Sequence, residues 1–199
     1  MRKLIVLSFL TLDGVMQQDP SGGFPYGEWD EPFWDDFLDQ VMLEQMSRPF
    51  DVVFGRKTYE KFAGYWPYQN TEENSIAASL NTARKYVASR TLQKLEWQNS
   101  TLLQGDVAQE IHKLKQQEGP EFQVHGSVNL IQTLLKHDLV DELWLKIFPI
   151  TLGMGKRLFA EGTLPTTFTL REAKTSSRGV IVASYERAGA VQTGSFPGS

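Results

Sequence analysis

Asp51-Val52-Val53-Phe54-Gly55-Arg56-Lys57-Thr58-Tyr59-Glu60 is a short apolar run that stops at a glycine and passes at once into a helix-forming pattern. A strand apolar on both sides is one buried on both faces, as in a parallel sheet between helix layers. The junction gathers backbone N–H groups and the positive end of a helix at one point, beside Arg56, Lys57 and Thr58, and that suits a phosphate. The same residues also read as a plain strand-to-helix turn with solvated bases and Thr58 as the N-cap.

Working outward, the arrangement recurs twice. Lys85-Tyr86-Val87-Ala88 runs into Ser89-Arg90-Thr91, where a guanidinium fork and a hydroxyl match the oxygens of a phosphate monoester. Phe122-Gln123-Val124-His125 runs into Gly126-Ser127-Val128, where a glycine permits close backbone approach to a diphosphate. Each has a plainer reading: a solvated Arg after a strand, and Ser127 as a helix cap.

Eight stretches read as strands: Leu4–Phe9, Asp51–Phe54, Lys85–Ala88, Thr101–Leu103, Phe122–Val124, Glu142–Phe148, Thr167–Lys174 and Gly179–Tyr185. Helical patterns occupy Pro32–Met46, Thr58–Gly64, Glu73–Ala83, Val107–Gln117 and Val128–Lys136. Alternation of this kind predicts a mostly parallel sheet covered on both sides. Ser176-Ser177-Arg178-Gly179 predicts a hairpin between the last two strands, hence an antiparallel C-terminal strand. One domain spans 1–187, and 188–199, rich in Gly and Ser, reads as a flexible tail.

Composition narrows the functions. With 20 basic and 24 acidic residues evenly spread, the net charge of −4 offers no basic stripe for nucleic acid. Cysteine is absent, which removes disulfides, thiolate metal sites and a cysteine nucleophile. His112, His125 and His137 are scattered without ligand spacing, so no metal site is expected. No apolar run approaches the roughly 20 residues of a membrane span, and the expectation is a cytoplasmic protein with a small-molecule substrate.

Taken in order, Ser8 to Gly14, Gly55-Arg56-Lys57-Thr58-Tyr59-Glu60, Ser89-Arg90-Thr91-Leu92, His125-Gly126-Ser127, Leu139 to Leu143 and Pro149 to Phe159 resemble motifs of the dihydrofolate reductase superfamily. The branch they resemble is that of small proteins similar to the reductase domain of riboflavin biosynthesis, and the resemblance runs from about Lys3 to Arg187. It implies a dihydrofolate-reductase-like α/β fold, a three-layer α/β/α sandwich around a mostly parallel eight-stranded sheet. It further implies NADPH as cofactor. Gly55, Arg56, Lys57 and Thr58 would hold its phosphates, and Ser89, Arg90 and Thr91 its 2′-phosphate end. Gly126, Ser127 and Val128 would lie along the diphosphate, and Ser8 and Phe9 beside the nicotinamide. A homodimer is plausible on family grounds, with Leu143–Phe148 as a candidate edge.

On the substrate side, the loop from Leu12 to Glu31 holds Gly14, Gly22, Gly23 and Gly27 and reads either as a lid or as a mobile surface loop. Asp35 and Asp39 lie four apart on the helix that follows. The resemblance makes them the candidate catalytic carboxylates, because family members acting on pterins carry a carboxylate on this helix. Asp35 and Asp36 also read simply as favourable acids in a first turn. Gly153-Met154-Gly155-Lys156 fails as a dinucleotide motif, since Leu158 stands where a third glycine belongs. It reads as a turn with Lys156 facing an anionic group. The expected activity is hydride transfer to a pterin-like or ribosylated-pyrimidine-like substrate. A binding module of the same fold without turnover is the alternative.

Overall fold

The computed structural model describes residues 1–20 and 23–195. Eight strands, β1 (Leu4–Thr11), β2 (Phe50–Gly55), β3 (Lys85–Ala88), β4 (Ser100–Leu102), β5 (Glu121–His125), β6 (Glu142–Phe148), β7 (Thr167–Thr175) and β8 (Ile181–Gly189), form one sheet in the order β4-β3-β2-β5-β1-β6-β8-β7. Every neighbouring pair is parallel except those made by β8, which runs antiparallel to both β6 and β7. The predicted topology class is the observed one.

Alternation along the central strands sorts side chains to two layers. Leu4, Val6 and Leu10 of β1, with Val53 and Val124, pack against Leu130, Ile131, Leu134 and Leu135 of α5 (Val128–Lys136) and Ile111 of α4 (Val107–Gln116). On the other face Val52, Phe54 and Val87 meet Tyr59 of α2 (Arg56–Ala63) and Leu80 of α3 (Ser75–Thr82). Further along that face Phe148 and Val15 meet Leu38 of α1 (Asp36–Gln45). The helices after β2 and β5 therefore leave their adjacent strands toward opposite layers. A crevice opens at the strand ends where this happens.

Most boundaries shift by one to four residues from the sequence reading, and three of the departures bear on the site or the C-terminus. The helix expected over Pro32–Met46 is broken: a 3₁₀ turn covers Glu31–Phe33, and Trp34 and Asp35 are extended before α1 begins. Asp35 causes the restart, because its carboxylate accepts the Leu38 N–H at 3.2 Å as an N-cap. Helix α2 starts at Arg56 because Gly55 takes the N-cap position, which moves Thr58 into the first turn. The last strand continues to Gly189, paired with Thr167, so two residues assigned to the tail belong to the sheet; 196–199 lie outside the described residues.

At the opposite ends of the strands, buried cations tie the sheet together. Arg2 pairs with Asp51 and lies 3.6 Å from the Phe122 ring centroid. Lys115 Nζ donates to the Leu139 carbonyl at 2.7 Å and the Asp141 carboxylate at 2.5 Å. Lys85, fully buried, donates to the carbonyls of Asn81, Ala83 and Gln98 at 2.8–3.1 Å and sits over the Trp97 ring. Its three protons thus have three acceptors. Lys85→Met strands those carbonyls while keeping side-chain volume, so denaturant melting should show a loss of roughly 1–3 kcal/mol; an unchanged midpoint would mean the cage is not stabilising.

Candidate cofactor and substrate cleft

A cleft of about 2150 Å³ runs across the C-terminal ends of the parallel strands. Ser8 and Phe9 from β1, Gly55, Arg56, Lys57 and Thr58 after β2, Ser89, Arg90 and Thr91 after β3, and Gly126, Ser127 and Val128 after β5 all line it. Four segments far apart in sequence thus converge because their strands are parallel and end on one side. Asp39 lines the cleft as well, but Asp35 does not.

The middle of the cleft is built from two turns that hold each other. Gly55 N–H donates to Ser127 Oγ at 2.9 Å. Ser127 can reach because it and Gly126 both adopt left-handed backbone, at φ 61° and 55°. A Cβ at Gly126 would add strain, since side-chain-bearing residues rarely take that conformation. With Ser127 Oγ occupied in this way, α5 starts without a side-chain cap, and so does α2 at Gly55. The other three α-helices are capped by Asp35, Asn74 and Asp106. The two uncapped helices are those whose first turns line the cleft between β2 and β5.

At the β3 end, Ser89 Oγ accepts the N–H groups of Thr91 and Leu92 at 3.2 and 3.0 Å, leaving its own proton able to donate. Arg90 beside it is exposed. The Arg56 guanidinium lies 3.6 Å from Glu60 one turn on, a pair half in solvent that holds it only weakly.

The other half of the cleft lies between α1, α2 and the loop after β1. Trp34, Met42, Met46, Phe62, Trp66 and Ile76 give it apolar walls. Exposed Asp39 stands at its edge, accepting the Trp34 indole N–H at 2.8 Å. Asp35 is turned to other work: besides capping α1, its second oxygen accepts Ser177 Oγ at 2.9 Å from the β7–β8 hairpin. That placement removes it from the cleft-facing pair of carboxylates that the sequence suggested.

Of the four polar residues beneath this half, the sequence reading named His125 only as a scattered histidine and within the motif it shares with Gly126, and gave Gln45, Gln123 and Lys146 no role. Gln123, His125 and Lys146 are buried in the floor. Lys146 Nζ donates to Gln45 Oε1 at 2.6 Å, Gln123 Nε2 donates to the Gln45 carbonyl at 2.8 Å, and His125 Nε2 lies 3.1 Å from Gln123 Oε1. Burial pulls His125 down to about 3, with the nearby Lys146 charge adding to it, and burial pulls Lys146 down to about 7. The sequence carried one signal, a lysine inside the otherwise apolar run Leu143–Phe148.

The loop after β1 is anchored. Trp29 and Phe24 are buried, the Trp29 indole N–H donates to the Gln17 carbonyl at 2.7 Å, and Met16 N–H donates to the Lys156 carbonyl at 2.9 Å. Gly155 is required at this seam, because a Cβ there would come within 2.8 Å of both Phe24 and Val15. The Gly153–Lys156 turn therefore packs on the loop, with Lys156 reaching the cleft; of the loop itself, Met16 to Asp19 face the cleft. Gly22 of this loop lies outside the described residues.

Asp13 fastens the base of the loop. The Thr11 hydroxyl at 2.5 Å and the N–H groups of Gly153 and Leu152 at 2.8 and 3.2 Å hold its carboxyl down at about 2, below its ordinary 3.8. A depressed folded value means the contribution is complete above about pH 4 and is lost as pH falls toward 2. The stability difference between wild type and Asp13→Asn, measured by denaturant melts, should shrink over that window; a difference independent of pH would show that the charge is not what fastens the loop.

Comparison with known proteins agrees with this geometry. Residues 2–182 match the family model of the RibD C-terminal domain. The Bacillus subtilis protein YyaP, itself uncharacterized, is 28% identical over 196 residues, covering 92% of this chain and 94% of that one. A second uncharacterized Bacillus subtilis protein, YwjB, is 25% identical over 178 residues, covering 87% and 91%. A putative riboflavin biosynthesis protein from Shewanella sp. PV-4 superposes with a TM-score of 0.73 at 23% identity, covering 94% of this chain and 99% of that one. Dihydrofolate reductase from Enterococcus faecalis, complexed with NADP(H) and RAB-propyl, gives 0.60 at 14% identity, covering 93% and 96%. At such identities the solved structures establish the shared dihydrofolate-reductase-like fold. With the matched span taking in nearly the whole described chain, the protein belongs to the RibD C-terminal domain family.

Proposed function

We propose that this protein is a reductase that uses NADPH to reduce a small, flat, nitrogen-rich heterocycle, pterin-like or ribosylated-pyrimidine-like. The observation that carries the proposal is the pair of uncapped helix N-termini, α2 and α5, meeting in one cleft flanked by Arg56, Lys57 and Arg90. Backbone N–H groups and positive helix ends aimed at one point favour a diphosphate over neutral ligands. Gly126 keeps that backbone approachable. The donor set therefore fits a dinucleotide.

Arg90 and the Ser89 hydroxyl stand one strand further out, where a guanidinium and a hydroxyl donor suit a phosphate monoester. That is the support for NADPH rather than NADH. When bound, the cofactor supplies a hydride. The chain would supply position and dryness: Phe9 and Ser8 of the cleft lining would lie against the cofactor's ring, and the Met42, Met46, Phe62 and Trp66 walls would hold a flat acceptor and exclude water. Exposed Asp39 offers a carboxylate to ring N–H groups of that acceptor.

Quenching of Trp34 and Trp66 fluorescence, both in the cleft, offers a direct test by titration with NADPH and with NADH. NADPH should bind more tightly than NADH. Arg90→Ala should weaken NADPH by roughly 10–100-fold, the size of a lost charge-assisted hydrogen bond, and leave NADH nearly unchanged. Equal affinity for the two nucleotides in wild type would overturn the NADPH assignment, and binding of neither would overturn the reductase reading.

A further inference from the structure

Among the buried cations of the described residues, Lys146 is placed unlike the others. Arg2 is paired with Asp51 and also donates to the Pro120 carbonyl; Lys115 has a carbonyl and a carboxylate; Lys85 has three carbonyls. Those three stand away from the cleft. Lys146 lines it, is fully buried, and has one hydrogen-bond acceptor among the described residues, the neutral Gln45 side chain. An ammonium carries three protons, so two have no protein acceptor here. Its register partner across the parallel pair is Phe9, whose ring centroid lies 5.3 Å from Nζ. Lys146 therefore lies in the cleft floor beside Phe9, the residue the proposed reading puts next to the nicotinamide.

We propose that Lys146 hands a proton to the substrate heteroatom adjacent to the carbon that receives the hydride. The inference rests on the reductase reading above and deepens it. The balance is simple. The acceptor C=N or C=O carbon gains a C–H bond with the electron pair of the hydride, and the nicotinamide is left oxidised. The π pair of the acceptor moves to its nitrogen or oxygen, which takes H⁺ as one N–H bond of the Lys146 ammonium breaks. Lys146 is left a neutral amine and regains a proton from water after product departs.

Other titratable or charged groups facing the cleft fit this step less well. His125 from β5 is held neutral by burial, so it has no second proton to give near neutral pH. Asp39 from α1 is exposed and accepts the Trp34 N–H. Arg56, Lys57 and Lys61 from α2 and Lys156 from the seam after β6 line the rim. Burial brings the Lys146 ammonium and amine close in energy near neutral pH, as proton transfer requires. Gln45 holds the amine in place and takes no proton itself.

A substrate is not needed for the test. If Lys146 stands beside the nicotinamide, the positive ring of the oxidised cofactor must disfavour the ammonium, whereas the neutral ring of the reduced one must not. Isothermal titration calorimetry of the whole protein with NADP⁺ and with NADPH, in buffers of different ionisation enthalpy between about pH 6 and 8, reads this as protons released. Wild type should release up to about half a proton per NADP⁺ near pH 7, and distinctly less with NADPH. Lys146→Met and Lys146→Arg should both bind NADPH and lose the difference; two variants guard against one folding poorly. In the free protein, the Lys146 ¹³Cε resonance should titrate with a midpoint at about 7. Equal release with the two nucleotides, release that survives in both variants, or a midpoint near that of ordinary lysines would each overturn the proposal. Binding of neither nucleotide would instead remove the reductase reading and the proposal with it.

Discussion

Gly55 N–H donates to Ser127 Oγ across 2.9 Å, and the cleft depends on that contact. Strands β2 and β5 are parallel neighbours, so their C-terminal turns arrive side by side. Ser127 uses its oxygen on the neighbouring turn instead of on its own helix, which is possible only because Gly126 and Ser127 both take left-handed backbone. As a result α2 and α5 present uncapped N-termini to one point from opposite layers of the sheet. A polar helix end facing a cavity without a cap is costly unless water or an anion meets it. This one local geometry links fold to site.

Much of this was legible in the sequence. Continuous apolar runs such as Val52–Phe54 mark strands buried on both sides, and the runs before Gly55, Ser89 and Gly126 end in residues suited to phosphate. All twelve residues expected at the cofactor line a single cleft because a parallel sheet places every strand end on one side. What could not be read depends on contacts distant in sequence. Asp35 belongs to the hairpin through Ser177, 142 residues away, and no local pattern announces it. Ser127 looks like a helix cap until the register of β2 against β5 is known. Lys146 looks like an interruption of an apolar strand, and only its position next to Phe9 shows that it belongs to the cleft floor.

The two ends of the sheet treat buried charge differently. At the end away from the cleft, Arg2, Lys85 and Lys115 are enclosed by carboxylates and carbonyls that satisfy them, as a stable interior requires. At the cleft end, Lys146 and His125 are buried with few partners, and burial lowers both. Under-satisfied, perturbed groups of this kind concentrate where a protein does chemistry.

The central claim, that the paired uncapped helix ends form a dinucleotide diphosphate site, is tested most directly by backbone amide NMR of the ¹⁵N-labelled protein as NADPH is added. The account predicts that the largest shifts fall on two separate segments together, Gly55 to Thr58 and Gly126 to Asn129. Large shifts confined to other segments, or saturation of the protein with NADPH while both of these stay unmoved, would contradict it.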